Sequence, residues 1–159
     1  MKPAVLEPTA QELYELDFFE WTVRNGELLR AGRFGEADLE HIAEEIEDMG
    51  KSERHELGSR LCVLLSHLLK WKFQPGSRSR SWRATIRGQR LGLHRLLREM
   101  PSLRRYLREE VSEVYPEAIE RAIAETSLPD ENFPPACPFS FEQILDADFF
   151  PDGSRCKSH

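Results

Sequence analysis

Residues 36–73 read EADLEHIAEEIEDMGKSERHELGSRLCVLLSHLLKWKF, thirty-eight positions without a proline. Leu39, Ile42, Ile46, Met49, Leu57, Leu61, Leu64, Leu68 and Trp71 follow one another at helical steps, and only Glu53 enters the stripe as a polar residue. Steps of three and four that stay in phase predict a single long helix, with Gly50 and Gly58 as the places where it can bend. Between Leu61 and Trp71 the apolar residues occupy nearly every side, so several neighbours must cover that half. A carboxylate on a buried stripe needs a partner, and Tyr14 or Arg54 is expected to serve Glu53.

Working outward, Thr9 with Glu12 and Asp17 with Glu20 have the spacing of capping boxes. They open a helical region expected to run to Arg30 and stop at Ala31-Gly32. On the other side, a helix begins near Ser79 and buries Trp82, Ile86, Leu93, Leu96, Leu97 and Met100. Pro101 suits the first turn of the next helix, and Pro116 is expected to kink or divide it. The proline-rich passage ENFPPACPFSF is extended, Ser140 with Gln143 caps a short helix over FEQILDA, and the end, DGSRCKSH, is expected to fray. The pattern describes an all-α protein, an irregular bundle of four or five helices around one long central helix. An extended Pro-rich C-terminal tail carries the short terminal helix, and residues 1–159 form a single domain.

The 159 residues carry a net charge of −6 and 40% hydrophobic residues, ordinary for a globular chain. No run approaches the roughly 18 apolar residues of a membrane span, and the early acids of MKPAVLEPTAQELYELDFF do not fit a signal peptide. Cys62, Cys137 and Cys156 are odd in number and widely spaced. This argues against a disulfide framework or a structural zinc and predicts a reduced, cytoplasmic protein.

The short turn at 74–78 makes its flanking helices antiparallel neighbours, pairing residues whose numbers add to about 153. Trp71 then lies beside Trp82, with Lys70 and His67 at the edge of the hairpin. The same reasoning around Pro101 sets Arg83, Arg87, Arg90 and Arg95 near Glu120, Glu117, Glu113 and Glu109. That pairing matters because residues 70–108 hold twelve Lys/Arg and one acid, whereas the segments on either side are acidic. Ion pairing between the helices would cancel the potential an incoming phosphate feels.

Several separated blocks, EEIEDMGKSERHEL, SRLCVLLSHLLKW, QPGSRSRSW, TIRGQR and CPFSFEQILDADFFP, together resemble the bacterial family called domain of unknown function 29, over roughly residues 12 to 151. The resemblance implies a single α-helical domain and brings no activity, substrate or catalytic residue with it.

Candidate sites therefore rest on residue chemistry. Six residues separate Arg60 from His67, the spacing of the Rx4–6H motif of HEPN-type helical ribonucleases. Two helical turns put both on one face, where a histidine base and an arginine could act on an RNA phosphate. A histidine in an apolar helix is more often a core residue satisfied by one hydrogen bond. Arg78, Arg80, Arg83 and Arg90 are the candidates for an anion or a nucleic-acid backbone. His41, Glu44, Glu45 and Asp48 offer helix-face ligand pairs for a metal. No second helix supplies the matching ExxH set, so no metal site and no cofactor are expected. The favoured reading is a non-enzymatic protein-interaction or scaffold module, binding an unknown partner or itself through residues 39–56. A HEPN-like RNA-binding or RNA-cleaving protein is the alternative, and no membrane association is expected.

Overall fold

The structure is a computed structural model describing Met1 and residues 6–152, so Cys156 and most of the expected frayed end lie outside the described residues. It is all-helical: α1 (Leu13–Leu16), α2 (Phe18–Arg30), α3 (Leu39–Phe73), α4 (Arg80–Glu99), α5 (Leu107–Thr126) and α6 (Phe141–Leu145), with no strand among the described residues. The long proline-free stretch is one helix of 35 residues. The chain divides into two compact units, residues 1–52 and 53–159, whose boundary falls inside α3.

In the first unit, the Thr9–Glu12 box forms in both directions. The Thr9 N–H donates to Glu12 Oε2 at 2.7 Å, and the Glu12 N–H donates to Thr9 Oγ1 at 3.2 Å. The single helical region expected up to Arg30 is instead two helices. Asp17 leaves the helical conformation, at φ −155°, and accepts the Glu20 N–H at 3.1 Å. An aspartate that caps the next helix cannot also continue the previous one. α2 ends in a Schellman arrangement: the Gly32 N–H reaches Leu29 O at 3.1 Å and the Arg33 N–H reaches Leu28 O at 2.9 Å. Gly32 sits at φ +71°, the left-handed conformation this motif needs and glycine adopts without a Cβ clash. α3 then starts at Leu39 because Asp38 accepts the His41 N–H through its side chain and the Ile42 N–H through its carbonyl.

The second unit is built on the remainder of α3. Leu57, Leu61, Leu64, Leu65, Leu68 and Leu69 are all 0% exposed, which meets the expectation of cover on nearly every side. α4 runs antiparallel to it. Arg60 approaches Gly92, the Lys70 ammonium lies over the Trp82 ring at 4.8 Å, and the Arg83 guanidinium lies over Trp71 at 5.3 Å. These pairs add to between 152 and 154, in keeping with the register read from the turn. A Cβ on Gly92 would fall 2.3 Å from Arg60 Nη1, so the absent side chain gives the Arg60 guanidinium room to lie over α4.

α5 runs parallel to α3 at a nearly constant offset: Arg54 meets Glu110, Gly58 meets Val114, Cys62 meets Glu117, and Lys70 meets Glu125. The expected ladder between α4 and α5 is therefore not formed. Among the described residues, Arg83, Arg87, Arg90 and Arg95 make no ion pair with Glu120, Glu117, Glu113 or Glu109. Arg54 takes Glu109 and Glu110, Arg121 takes Glu117, and Arg95 pairs with Glu99 on its own helix. Half-buried Arg54 and buried Lys70 must be compensated where they sit, whereas exposed arginines on α4 gain only about 0–1 kcal/mol from a partner. Glu109, Glu110 and Glu125 of α5 accordingly pair with α3.

Pro116 neither divides nor ends α5. The proline is exposed, so the Ser112 carbonyl it deprives of a donor lies on a face that water reaches. Beyond Ser127, the proline-rich passage buries Phe133 and Phe139, and the Ser140–Gln143 capping box sets α6, which buries Ile144.

Candidate functional site

Four groups of side chains carry the chemistry. In the first unit, Asp38 is buried at the start of α3 and gathers a polar and aromatic cluster. The Trp21 Nε1–H donates to Asp38 Oδ2 at 2.9 Å, and His41 Nδ1 lies 2.6 Å from the same oxygen. The Tyr14 ring stacks on His41 with centroids 3.8 Å apart, and its hydroxyl donates to Glu45 Oε1 at 2.6 Å. The hydrogen bond to Glu45 raises the Tyr14 phenol to about 12, and the bond to Asp38 raises the His41 imidazole. Asn25 completes the cluster by accepting the Asp38 N–H and donating to Trp21 O.

Of the metal-ligand candidates, His41 and Glu45 are engaged in this cluster, Asp48 pairs with Lys51 at 2.8 Å, and Glu44 is exposed. Among the described residues, no group of three His, Cys, Asp or Glu side chains is arranged to hold a metal ion. The cluster itself was missed in the sequence, although Asp38 three residues before His41 at a helix start is an N-cap signal.

The same unit carries apolar side chains without cover. On α3, Leu39, Ile46 and Met49 are 49%, 63% and 70% exposed, and Leu16, Phe18, Phe19, Val23 and Phe34 are exposed as well. Among large apolar side chains exposed in the described residues, every one but Leu91 falls in residues 1–52.

In the second unit, His67 and Arg60 share no hydrogen-bonding partner. The His67 Nδ1–H donates to Val63 O at 2.9 Å, which leaves Nε2 as the acceptor facing Lys70 Nζ at 3.3 Å. Burial lowers the His67 pKa. Arg60 bonds Glu56 at 2.9 Å and Gln89 at 3.4 Å. Lys70, expected at the hairpin edge, is fully buried and pairs with Glu125 under the Trp82 ring. Nothing local announces this, since the partner carboxylate lies 55 positions along the chain. Glu53 lines a cleft of about 240 Å³ with Arg60, Leu96 and Glu99, while both partners expected for it are bonded elsewhere. Cys62 is buried, and its thiol is pushed up to about 11 by burial and Glu117.

The anion candidates separate. Arg78, Arg80 and Arg83 line one shallow cavity of about 370 Å³ beside Trp71. Arg90, by contrast, is withdrawn from any outside anion. It is 1% exposed and donates to the carbonyls of Ile144, Phe149 and Gln143 at 2.8, 2.7 and 2.9 Å. A guanidinium presents five donors in a fixed fork, and here three tail carbonyls use it. His94 adds a bond from Nε2–H to Leu145 O at 2.7 Å.

No helix among the described residues is long and apolar enough to cross a membrane. No curated protein and no solved structure matches the chain. The model of the family described as "Domain of unknown function DUF29" matches residues 13–150, nearly the whole of the all-helical chain, and the protein belongs to that family.

Proposed function

We propose that this protein is a non-enzymatic interaction module that pairs with a second copy of itself through the start of α3. The observation that carries this reading is the concentration of exposed apolar side chains in residues 1–52. Leu39, Ile42, Ile46 and Met49 follow the alternating steps of a coiled-coil seam. The residues flanking that seam are Ala43, Gly50, Ser52 and Glu45, and Glu45 is already bonded to Tyr14. Glu40, Glu44 and Asp48 lie on the opposite side of the helix, so two seams can meet over Leu39–Met49 without opposing carboxylates, and Glu53 at the next step marks where the seam ends. A non-catalytic role is supported by how the reactive groups are used: His67 is held between Val63 O and Lys70, and the Cys62 thiol is buried.

Sedimentation of the full chain tests this reading. The wild type is expected to show concentration-dependent self-association, and Ile46→Glu combined with Met49→Glu is expected to give a monomer of unchanged helix content. A wild type that stays monomeric at every accessible concentration overturns it.

A further inference from the structure

We propose that Arg78, Arg80 and Arg83, around Trp71 and the start of α4, form a binding site for a phosphate monoester or pyrophosphate group. The cavity they line, with Ser79 as the remaining wall, contains no carboxylate. None of the three arginines forms an ion pair among the described residues, whereas Arg54, Arg60, Lys70, Arg95 and Arg121 of the same unit each meet a carboxylate.

Two of the three are already positioned. The Arg78 Nε–H donates to Trp71 O at 2.8 Å and its Nη2 to Pro151 O at 3.3 Å, and Nη1 has no acceptor among the described residues. The Arg78 and Arg83 guanidinium carbons stand 5.1 and 5.3 Å from the Trp71 ring centroid, and Arg83 is also 5.1 Å from the Phe150 ring. Stacking on aromatic faces removes rotamer freedom before any ligand arrives, so less is lost on binding. Arg80 is exposed and makes no such contact.

The backbone adds donors at the same place. Ser79 caps the 20-residue α4 by accepting the Trp82 N–H at 3.1 Å. The Arg80 and Ser81 N–H groups have no acceptor among the described residues. Forked guanidinium donors and first-turn amides suit the oxygens of a phosphate dianion.

The ligand is a phosphate and not a nucleobase, because Trp71 is 6% exposed and its faces are occupied by Arg78, Arg83 and Phe150. A base-stacking platform needs an open ring. The phosphate could belong to a small molecule or to the end of a nucleic-acid strand, and the two sources share this chemistry. The proposal does not depend on self-association through α3.

Calorimetric titration of the full chain with pyrophosphate at low ionic strength tests the site. The wild type is expected to bind, more weakly as salt is added. Arg80→Glu is expected to weaken binding at least about tenfold, since it removes a charge-assisted partner and adds a like charge. Arg80 is exposed and its side chain makes no hydrogen bond or ion pair among the described residues, so the thermal unfolding of this variant should match the wild type; Arg83→Gln provides a second, smaller loss. Two single-stranded RNA oligonucleotides of one sequence, with a 5′-phosphate or a 5′-hydroxyl, identify the source. Preference for the 5′-phosphate form assigns strand ends, and binding of pyrophosphate alone assigns small phosphates. No pyrophosphate binding at low salt, binding that Arg80→Glu leaves unchanged, or equal RNA binding that ignores the end group overturns the proposal.

Discussion

The two units spend their apolar residues differently. In residues 53–159, six leucines of α3 are completely covered, and α4, α5 and the C-terminal passage supply the cover. In residues 1–52, the buried apolar set is Ala10, Leu13, Trp21 and Leu28, while larger side chains on α2 and α3 remain exposed. What orders the smaller unit is a hydrogen-bonded cluster around Asp38. A long helix can therefore be a core element over one half of its length and an open surface over the other. The difference lies in how many neighbours each half meets, and the apolar residues on nearly every side of Leu61–Trp71 already mark the covered half.

The largest test of that contrast is a pair of truncations on the one helix. Leu64→Ala in the second unit is expected to cost about 3–5 kcal/mol through lost burial and a residual cavity. Ile46→Ala, on a position exposed in the single chain, should stay within about 0.5 kcal/mol at concentrations too low for self-association. Chemical denaturation followed by helix content measures both, and comparable losses would break the contrast. Next comes Arg90→Met, which leaves three tail carbonyls without their donor and should destabilise by about 3 kcal/mol. Limited proteolysis should then cut within residues 133–150 well before α3 or α4, and an unchanged cleavage rate would show that the tail is held by apolar packing alone.

Caps sharpen the comparison at smaller cost. Thr9→Ala and Ser140→Ala each remove one side of a formed capping box, at about 1 kcal/mol each, and thermal melts should shift modestly for both. The smallest effects concern two histidines whose shifts oppose one another. The bond to Asp38 raises His41, so its contribution is fully present below about pH 6.5, the ordinary imidazole value, and fades as pH rises through the raised value. Burial lowers His67, so its contribution is fully present above about pH 6.5 and fades as pH falls toward the lowered value. Imidazole titrations by NMR should give a midpoint above the ordinary value for His41 and below it for His67. Two midpoints on the same side would remove the electrostatic difference between the units.

Much of this architecture is legible along the chain. The proline-free stretch predicts α3, Ser79 and Ser140 mark their helix starts, Gly32 marks a stop, and the turn at 74–78 predicts the register of α3 against α4. These features depend on neighbours within a few residues or across one short turn. The family blocks were also legible, over residues 12 to 151 against a matched span of 13–150.

The candidate sites were less legible, because a side chain's role depends on which distant group reaches it first. Arg90 and Arg83 look alike on the α4 stripe, yet one is used by the carbonyls around α6 and the other faces a cavity with Trp71. Lys70 reads as a charged helix-end residue, and it is buried because α5 runs parallel to α3 and delivers Glu125.

By itself, then, the sequence determined where α4 and α6 begin and which leucines of α3 turn inward, since caps and periodicity are local properties of the backbone. The helix expected from Pro101 opens instead as a 3-10 helix over Pro101–Tyr106, with α5 from Leu107. Only the tertiary structure decided which charges meet. α5 buries Val111, Tyr115 and Ala118, and its offset along α3 brings Glu109 and Glu110 to Arg54 and Glu125 to Lys70. Arg83 is thereby left, beside Trp71 and with Arg78 and Arg80, without a carboxylate partner among the described residues.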